Sequence, residues 1–311
     1  MPASICPRCN KKYVKCKKHN KYRKHKMCLK SQFGHGVFGN ERNEIVFRGE
    51  EGEYDDIVIP SVIMINGEIF NVGRRVGDGS YGVVYGYENE DGRSVVLKIG
   101  DISSDLNVIN KLKQSNITCN QSIVPYETVD NKHLLIMEKM DGDLYSLTTK
   151  TELSAYSIKH IIHQIATIIK CLLDVGIFYT DLKLENILYK LKQDDTPLVI
   201  LGDLGSADNT HKENMYISTY PPYDRKDGGG YIKDPNENDL SWMIGIILID
   251  LCCDVNQYGR CAILKLDEDT HKQNIEKFSE LHPQFKDIIL GTLSINPDDR
   301  IRLDKIIEMT R

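Results

Sequence analysis

The feature that most constrains this chain is the segment Asp181-Leu182-Lys183-Leu184-Glu185-Asn186, which is followed downstream by Asp203-Leu204-Gly205. A carboxylate such as Asp181 can accept the proton of a hydroxyl, and a lysine two residues later can steady a phosphoryl group in transfer. The oxygens of Asn186 and Asp203 suit Mg²⁺ held against phosphates. Asp-x-Lys-x-x-Asn alone arises by chance fairly often, so its meaning depends on the rest of the chain.

A glycine-rich stretch lies upstream, where residues 77–84 fit the spacing G-x-G-x-x-G-x-V. This spacing also opens dinucleotide-binding folds, in which the turn leads into a helix. Here it leads into Val83–Tyr87, whose β-branched and aromatic residues are typical of a strand. Asp91-Gly92 then predicts a hairpin turn into a returning strand, Ser94–Ile99, which carries Lys98. Backbone amides of such a turn can donate to phosphate oxygens, and the alternative is an ordinary glycine-rich hairpin.

In this order, the glycine-rich turn, the strand lysine and the two acidic segments resemble a protein kinase over roughly residues 70 to 311. The resemblance implies an α+β, two-lobed fold, with residues 66–140 as the N-lobe and 141–311 as the C-lobe. It also implies transfer of the γ-phosphoryl group of MgATP, and Lys183 resembles the Ser/Thr-specific pattern. Two alternatives stay open: a pseudokinase scaffold and a nucleic-acid-associated binding protein.

The resemblance further implies roles for individual residues. Asp181, Lys183 and Lys98 are expected to be catalytic, and Asn186 and Asp203 are expected to bind Mg²⁺. Met137 is expected beside the adenine, backbone groups of Glu138 and Met140 at its edge, and Asp143 near the ribose. The full set of expected nucleotide contacts is Gly77, Gly79, Ser80, Gly82, Val84, Lys98, Met137, Glu138, Met140, Asp143, Asn186 and Asp203.

The segment 103–112 predicts a helix from its apolar spacing, with Ser103 or Ser104 as the cap. In kinases a Glu of this helix pairs with the strand lysine, but no Glu occurs between Gly100 and Glu127. Asp105 is the best candidate for that partner. The alternative is that Asp105 is a first-turn acid favoured by the helix dipole.

A second departure is Tyr179-Thr180-Asp181, which stands where kinases have His-Arg-Asp. The Asp is kept, and Tyr179 is expected to fill the place of the histidine. Thr180 cannot make the charge-assisted bond of an Arg to a phosphorylated activation loop, so we expect no control through that bond. This variant and the compact loops are similar to kinases of large DNA viruses.

The C-terminal half predicts a long helix over residues 154–175, which ends at Gly176. Its two histidines, His160 and His163, are interpreted as surface or packing residues, and Cys171 as part of the core. By resemblance, further roles fall to four residues outside this helix: Thr219 contacts the catalytic loop, Asp224 pairs with Arg300, and Asp239 braces the catalytic loop.

The first 30 residues form a basic arm. They contain eleven Lys or Arg and no Asp or Glu, so the net charge of −5 for the whole chain leaves −16 for the remainder. A basic arm on an acidic body indicates an anionic partner, such as nucleic acid or an acidic protein. The alternatives are that the arm rests on the acidic body of this chain or is simply solvated.

The same arm holds Cys6-x2-Cys9 and His25-x2-Cys28, two pairs with the chemistry of zinc ligands. The pattern resembles a small ββα zinc finger, which needs its metal because so short a segment cannot bury enough surface alone. Cys16 and His19 offer another second pair. The alternative is a flexible basic tail in residues 1–30. With either interpretation, residues 31–65 are expected to be a linker and irregular extension.

No apolar run of membrane-spanning length occurs, and the N-terminus has no apolar signal-peptide region. We therefore expect an intracellular protein, with the nucleus or a virion as further options for a viral kinase. In a reducing compartment the nine cysteines are not expected to form a disulfide framework. Cys252, Cys253 and Cys261 are interpreted as core thiols.

Overall fold

The computed structural model describes residues 23–28, 44–48, 59, 61–65, 68–79, 82–115, 126–128, 134–194, 196–209, 214–216, 231–233, 235–253 and 268–311. Contacts divide the chain into two compact units. The first unit consists of Met1–Ser103 and Pro125–Lys139, and the second consists of Ser104–Val124 and Met140–Arg311.

The N-terminal segment contributes two strands, β1 (Arg23–Cys28) and β2 (Glu44–Arg48), which pair antiparallel. The expected ββα finger in residues 1–30 is therefore not supported. The stretch that carries His25 and Cys28 is a strand, and its partner comes from outside the arm, with Cys28 opposite Glu44. Cys6 and Cys9, like Cys16 and His19, lie outside the described residues.

The first unit contains a six-stranded antiparallel sheet. In chain order its strands are β3 (Val62–Ile65), β4 (Glu68–Gly79), β5 (Gly82–Glu88), β6 (Ser94–Gly100), β7 (Tyr126–Thr128) and β8 (Leu134–Glu138). Their order across the sheet is β3-β4-β5-β6-β8-β7. A core cluster packs on this sheet and includes Ile63, Phe70, Tyr87, Leu97 and Ile136.

The predicted hairpin is confirmed between β5 and β6, where Glu88 lies opposite Ser94. The amide of Gly92 donates to the carbonyl of Asn89 at 3.1 Å. Gly92 has φ +80°, a left-handed conformation that glycine adopts without the steric cost of a Cβ. The turn residues therefore fix the register that places Lys98 on β6.

The second unit is mainly helical. Its helices are α1 (Ser103–Gln114, which belongs to this unit from Ser104 onward), α2 (Leu144–Lys150), α3 (Ala155–Asp174), α4 (Glu237–Cys252), α5 (Glu268–Leu281), α6 (Lys286–Thr292) and α7 (Leu303–Met309). Helix α1 confirms the predicted helix. Ser103 and Ser104, the predicted caps, are instead its first two residues. The carboxylate of Asp101 instead accepts from the backbone amide and hydroxyl of Ser103.

Helix α3 confirms the predicted long helix. Ser154 is its N-cap and accepts from the amide of Ser157 at 3.1 Å. The helix buries a continuous face of Ile158, Ile161, Ile162, Ile165, Ala166, Ile168, Ile169 and Leu172. It ends before Gly176, which has φ +70° and donates its amide to Leu173. This left-handed glycine is a common way to end a helix.

Helix α4 lies at the centre of the second unit, because every residue from Asp239 to Leu251 is buried. A capping box begins it: Asn236 accepts from the amide of Asn238, and Asp239 accepts from the amide of Asn236, both at 2.9 Å. Helices α3, α6 and α7 pack against it.

Short strands flank the loops of the second unit. They are β9 (Gly142–Asp143), β10 (Ile177–Tyr179), β11 (Ile187–Leu191), β12 (Pro197–Leu201), β13 (Ala207–Asn209), β14 (Asn214–Tyr216) and β15 (Tyr231–Lys233). They form three small sheets, ordered β12-β11-β9, β10-β13 and β14-β15. The predicted catalytic segment connects β10 to β11, and the second acidic segment connects β12 to β13.

The cysteines differ in part from the expectation. Cys171 forms a disulfide bond and is half-buried, so it is not the core residue that was expected. Cys252 and Cys253 are free thiols, as expected, but both are half-buried and not in the core; burial raises the pKa of Cys252 to about 12. Cys261 lies outside the described residues. No helix in the described part of the chain is long and apolar enough to cross a membrane.

Candidate active site

Lys98 lies in the middle of the sheet of the first unit. On β6 it pairs with Val84 of β5 on one side and with Leu135 of β8 on the other. Its side chain is only 8% exposed. A buried lysine at a central strand position is costly unless its charge is used, so burial supports a functional interpretation.

The glycine-rich turn joins β4 to β5, with Gly79 opposite Gly82. Ser80 lies outside the described residues. Gly77 and Gly82 differ in the space that a side chain would have at each position. A Cβ at Gly82 would overlap the carbonyl oxygen of Ile99 on β6, whereas a Cβ at Gly77 would meet nothing within 4 Å. Packing of the protein therefore requires glycine at position 82 but not at position 77.

The expected adenine-binding residues lie on and after β8. Met137 and Glu138 end this strand and are half-buried, and Met140 follows in the second unit. Asp143 has a structural role that the sequence interpretation missed. It is the N-cap of α2, with its Oδ1 accepting from the amide of Ser146 at 2.7 Å. The signal for this cap is an Asp immediately before the first residue of the helix.

The segment after β10 brings three predicted residues together. Nζ of Lys183 donates to Oδ2 of Asp181 at 2.7 Å, and the side-chain amide of Asn186 donates to the same oxygen at 2.7 Å. The Asn186 amide also donates to the backbone carbonyl of Asp181 at 2.9 Å. The Asp181 side chain is 13% exposed and that of Lys183 is 31% exposed. Asp181 is therefore held in one orientation while it keeps access to solvent.

The loop of Asp203 lies against this segment. The amide of Gly202 donates to the carbonyl of Asn186 at 2.9 Å, which links the end of β12 to the catalytic segment. Oδ1 of Asp203 accepts from the amide of Gly205 at 3.1 Å. One carboxylate and one amide oxygen suit Mg²⁺, which binds few protein ligands and takes its others from phosphates and water. Among the described residues, no group of three or more His, Cys, Asp or Glu could hold a metal ion.

Tyr179, the residue at the end of β10, connects the start of the catalytic segment to the loop of Asp203. Its side chain is 1% exposed, and its hydroxyl donates to the carbonyl of Asp203 at 2.9 Å. Burial raises the pKa of Tyr179 well above its ordinary value, and the negative charges of Asp203, Asp181 and Asp105 raise it further. The phenol thus stays protonated and remains a donor.

Asp105 lies in the first turn of α1 and is 2% exposed. An acid that serves only the helix dipole is stable at an exposed position and gains nothing from burial. The helix dipole alone therefore does not account for the burial of Asp105. Thr180 is buried as well.

Contacts are described for Arg300, which was expected to pair with Asp224, and for Asp239, which was expected to brace the catalytic loop. Arg300 is buried, lies 4.9 Å from the ring centroid of Trp242, and donates to the carbonyls of Ser294 and Ile295. Its expected partner Asp224 lies outside the described residues, as does Thr219. Asp239 is fully buried and caps α4, as described above.

The two histidines of α3, His160 and His163, contact other side chains of the second unit. A ring nitrogen of His163, Nδ1, lies 3.1 Å from the hydroxyl of Thr310, and the ring of His160 stacks on Tyr156. Their interpretation as packing and surface residues is confirmed. Nζ of Lys111 donates to the carbonyl of Gly176 at 2.8 Å. The sequence did not indicate this contact, because the two residues lie far apart in the chain.

A family model described as the protein kinase domain matches residues 70–310, which is most of the chain. The chain belongs to the protein kinase family. The α+β class is thereby confirmed, with the sheet in the first unit and most helices in the second.

Relatives of this kinase carry serine/threonine kinase names. The chain is 24% identical over 260 residues to the serine/threonine-protein kinase dkf-1 of Caenorhabditis briggsae, covering 76% of this chain and 33% of the relative. It is 30% identical over 142 residues to the probable serine/threonine-protein kinase zyg-1 of the same organism, covering 44% and 20%. It is 23% identical over 314 residues to the mitogen-activated protein kinase mpk-1 of Caenorhabditis elegans, covering 83% and 70%. The chain thus spans a third or less of the length of the first two.

Proposed function

We propose that this kinase transfers the γ-phosphoryl group of MgATP to serine and threonine hydroxyls of protein substrates. The carrying observation is the geometry of Asp181, which Lys183 and Asn186 hold in place beside the loop of Asp203. Membership of the kinase family and the serine/threonine names of the relatives support the same activity.

In the proposed reaction, Asp181 accepts the proton of the substrate hydroxyl. The hydroxyl oxygen forms a bond to the γ-phosphorus while the bond from that phosphorus to the β–γ bridging oxygen breaks, which leaves ADP. Lys183, already close to Asp181, can neutralise charge on the phosphoryl group in transfer. Asn186 and Asp203 would hold Mg²⁺, which neutralises the nucleotide phosphates.

The nucleotide contacts are part of the same proposal. Lys98 would bind phosphate oxygens, and the residues of the glycine-rich turn would lie over the phosphates. The open space at Gly77 supports this, because a ligand rather than the protein would then explain the glycine. Asp143 uses Oδ1 for its helix cap, so a ribose contact would use its other carboxylate oxygen.

A phosphotransfer assay tests the proposal directly. Purified protein is incubated with labelled ATP, Mg²⁺ and generic protein substrates, and the labelled amino acids are identified after hydrolysis. We expect label on serine and threonine. Nucleotide binding without any transfer would instead favour the pseudokinase scaffold, and label confined to tyrosine would contradict the proposed specificity.

We also propose that the basic arm binds one Zn²⁺ through Cys6, Cys9, His25 and Cys28, with Cys16 and His19 as the alternative second pair. The support is the ligand chemistry of these side chains. The arm would bind a polyanion or an acidic protein through its eleven basic residues, in the nucleus or in a virion for a viral kinase.

Metal analysis of freshly purified protein tests the zinc site. One zinc per chain that is lost in the double variant Cys6→Ser, Cys9→Ser is the expected result. Protein without zinc would favour the flexible tail. Polyanion binding should weaken about tenfold or more over a few-fold rise in salt, provided that several phosphates are contacted.

A further inference from the structure

A cavity of about 380 Å³ lies in the second unit, between helix α5 and the segment that includes the end of α6 and the residues after it. This volume is within the range of pockets that bind ligands. The described residues that line the cavity all belong to these two walls, at positions 271–276 and 290–299. They include no residue of the catalytic segment or of the loop of Asp203, so phosphotransfer does not account for the cavity.

The deeper part of the lining is apolar. Ile275 of α5 and Leu293 after α6 are 4% and 2% exposed, and the side chains of Leu290 and Ile295 are half-buried. Water beside such aliphatic groups is displaced favourably by another apolar group. The cavity therefore suits an apolar group about as large as a bulky side chain.

The wall after α6 is held in place from inside the protein. Nε2 of His271 lies 3.2 Å from the carbonyl oxygen of Leu293, and because a carbonyl only accepts, Nε2 donates. The guanidinium of Arg300 donates to the next two carbonyls, those of residues 294 and 295, at 2.9 and 3.3 Å. Both side chains also lie against the ring of Trp242. A ligand would thus meet a preformed wall, which lowers the entropic cost of binding.

The exposed edge of the cavity is acidic. Lys272, Glu276 and Asp299 line it and are exposed, and the exposed Asp298 is the neighbour of Asp299. Oδ2 of Asp299 accepts from the side-chain amide of Asn296 at 3.0 Å, which holds that carboxylate at the edge. Three carboxylates against one ammonium group favour a ligand that carries positive charge.

We propose that this cavity is the docking site for a basic segment of a partner protein. One large apolar side chain of the segment would enter the cavity, and its lysines or arginines would lie against Glu276 and Asp299. An apolar anchor in a pocket with a polar edge is the arrangement that dominates the binding free energy of many protein interfaces. The inference does not depend on the proposed phosphotransfer, because the two involve different residues.

The test uses a fluorescein-labelled peptide, Lys-Arg-Lys-Trp-Lys-Arg-Lys, and a second peptide with glycine in place of the tryptophan. Binding of both to the full chain is measured by fluorescence anisotropy without ATP. The protein variants are Glu276→Lys for the edge and Leu290→Gln for the apolar lining. Glu280→Lys is the matched control, since Glu280 is exposed on the same helix and has the same charge but does not line the cavity.

We expect the glycine peptide to bind the wild type about tenfold or more weakly, because it lacks the anchor. Glu276→Lys should weaken the tryptophan peptide several-fold, and Glu280→Lys by less than about twofold. Leu290→Gln should weaken the tryptophan peptide but not the glycine peptide, because the two changes remove the same contact. The tryptophan peptide should also slow hydrogen exchange in residues 271–276 and 290–299.

Equal affinities of the two peptides would overturn the inference. Equal weakening by Glu276→Lys and Glu280→Lys would overturn it too, because it would show only a general attraction to acidic surface. If N-acetyltryptophan amide binds as tightly as the peptide, the cavity takes a small ligand and the partner segment is wrong. Thermal unfolding shows whether Leu290→Gln is folded, and if it is not, Glu276→Lys and the peptide pair decide the outcome.

Discussion

The glycine-rich turn of the first unit and the catalytic segment of the second unit are organised in different ways. In the catalytic segment, side chains hold one another: Lys183 and Asn186 both donate to Asp181. In the turn, backbone pairing sets the shape, and Gly77 borders open space while Gly82 is packed against β6. In one region the described contacts fix the orientation of the side chain, and in the other Gly77 occupies a position where packing does not require glycine.

This difference separates residues that shape the protein from residues that suit a ligand. A preorganised carboxylate loses little free energy of reorganisation when a substrate arrives, so its geometry can be interpreted without the substrate. A glycine in open space has meaning only with respect to a bound molecule. The following predictions test this contrast, beginning with the catalytic segment.

The largest effect is expected for Asp181→Asn. The amide cannot accept the proton of a hydroxyl, so phosphotransfer should fall by about 10²- to 10⁴-fold. Nucleotide affinity should stay unchanged, because no expected phosphate contact is removed. Single-turnover phosphotransfer and titration with a fluorescent ATP analogue measure the two quantities. Asp203→Asn, by contrast, should weaken Mg²⁺-dependent nucleotide binding as well. Near wild-type turnover in the Asp181 variant would end the assigned mechanism.

The two glycines should respond in opposite ways to alanine. Gly82→Ala forces a Cβ against the carbonyl of Ile99 and should lower the free energy of unfolding by about 1–3 kcal/mol. Gly77→Ala should change it by less than about 0.5 kcal/mol, yet weaken binding of ADP. Urea unfolding and ADP titration of both variants decide this. Unchanged ADP affinity in Gly77→Ala would show that the open space is incidental.

A smaller effect is expected for Tyr179→Phe. The change leaves the ring in place but removes the donor to the carbonyl of Asp203, at a cost of about 1–3 kcal/mol for a buried acceptor. We expect a several-fold lower kcat and a higher Mg²⁺ requirement. Tyr87→Phe is the control, since Tyr87 is equally buried but lies in the sheet of the first unit. Equal kinetics of the two variants would refute a special role for Tyr179.

The smallest effect is expected for dephosphorylation. Because Thr180 stands where kinases have the Arg that binds a phosphorylated loop, phosphatase treatment should leave most activity intact. Activity before and after treatment, with mass spectrometry of the activation segment, measures this. The idea fails if activity is largely lost and then restored by phosphorylation at Ser218 or Thr219.

Local patterns predicted the fold well where short-range chemistry decides it. The hairpin at Gly92, the end of α3 at Gly176 and the strand of Lys98 all follow from turn residues and periodicity. The catalytic segment was also predictable, because six consecutive residues include Asp181, Lys183 and Asn186. Residues so close in the chain can contact one another locally.

Contacts between distant segments were not predictable. The bond from Lys111 to Gly176 joins residues 65 positions apart, and no local pattern encodes such a contact. The pairing of β1 with β2, in place of a finger confined to the arm, likewise depends on a strand that lies outside the arm and begins at Glu44. Asp101 and Asp143 show a different kind of failure. Each carboxylate accepts from a backbone amide two or three residues ahead, a local contact that the sequence permits, whereas the expected roles were a serine cap and a ribose contact.

The burial of α4 on all sides has a consequence for truncation. A helix without an exposed face cannot be stable alone, so α4 forms only together with the helices around it. Helix α7 packs on both α3 and α4. A chain that stops before Leu303 would lose more than one short helix, since apolar residues of both longer helices would face water. We therefore expect stable folding of the second unit to require α7 together with the helices nearer its centre.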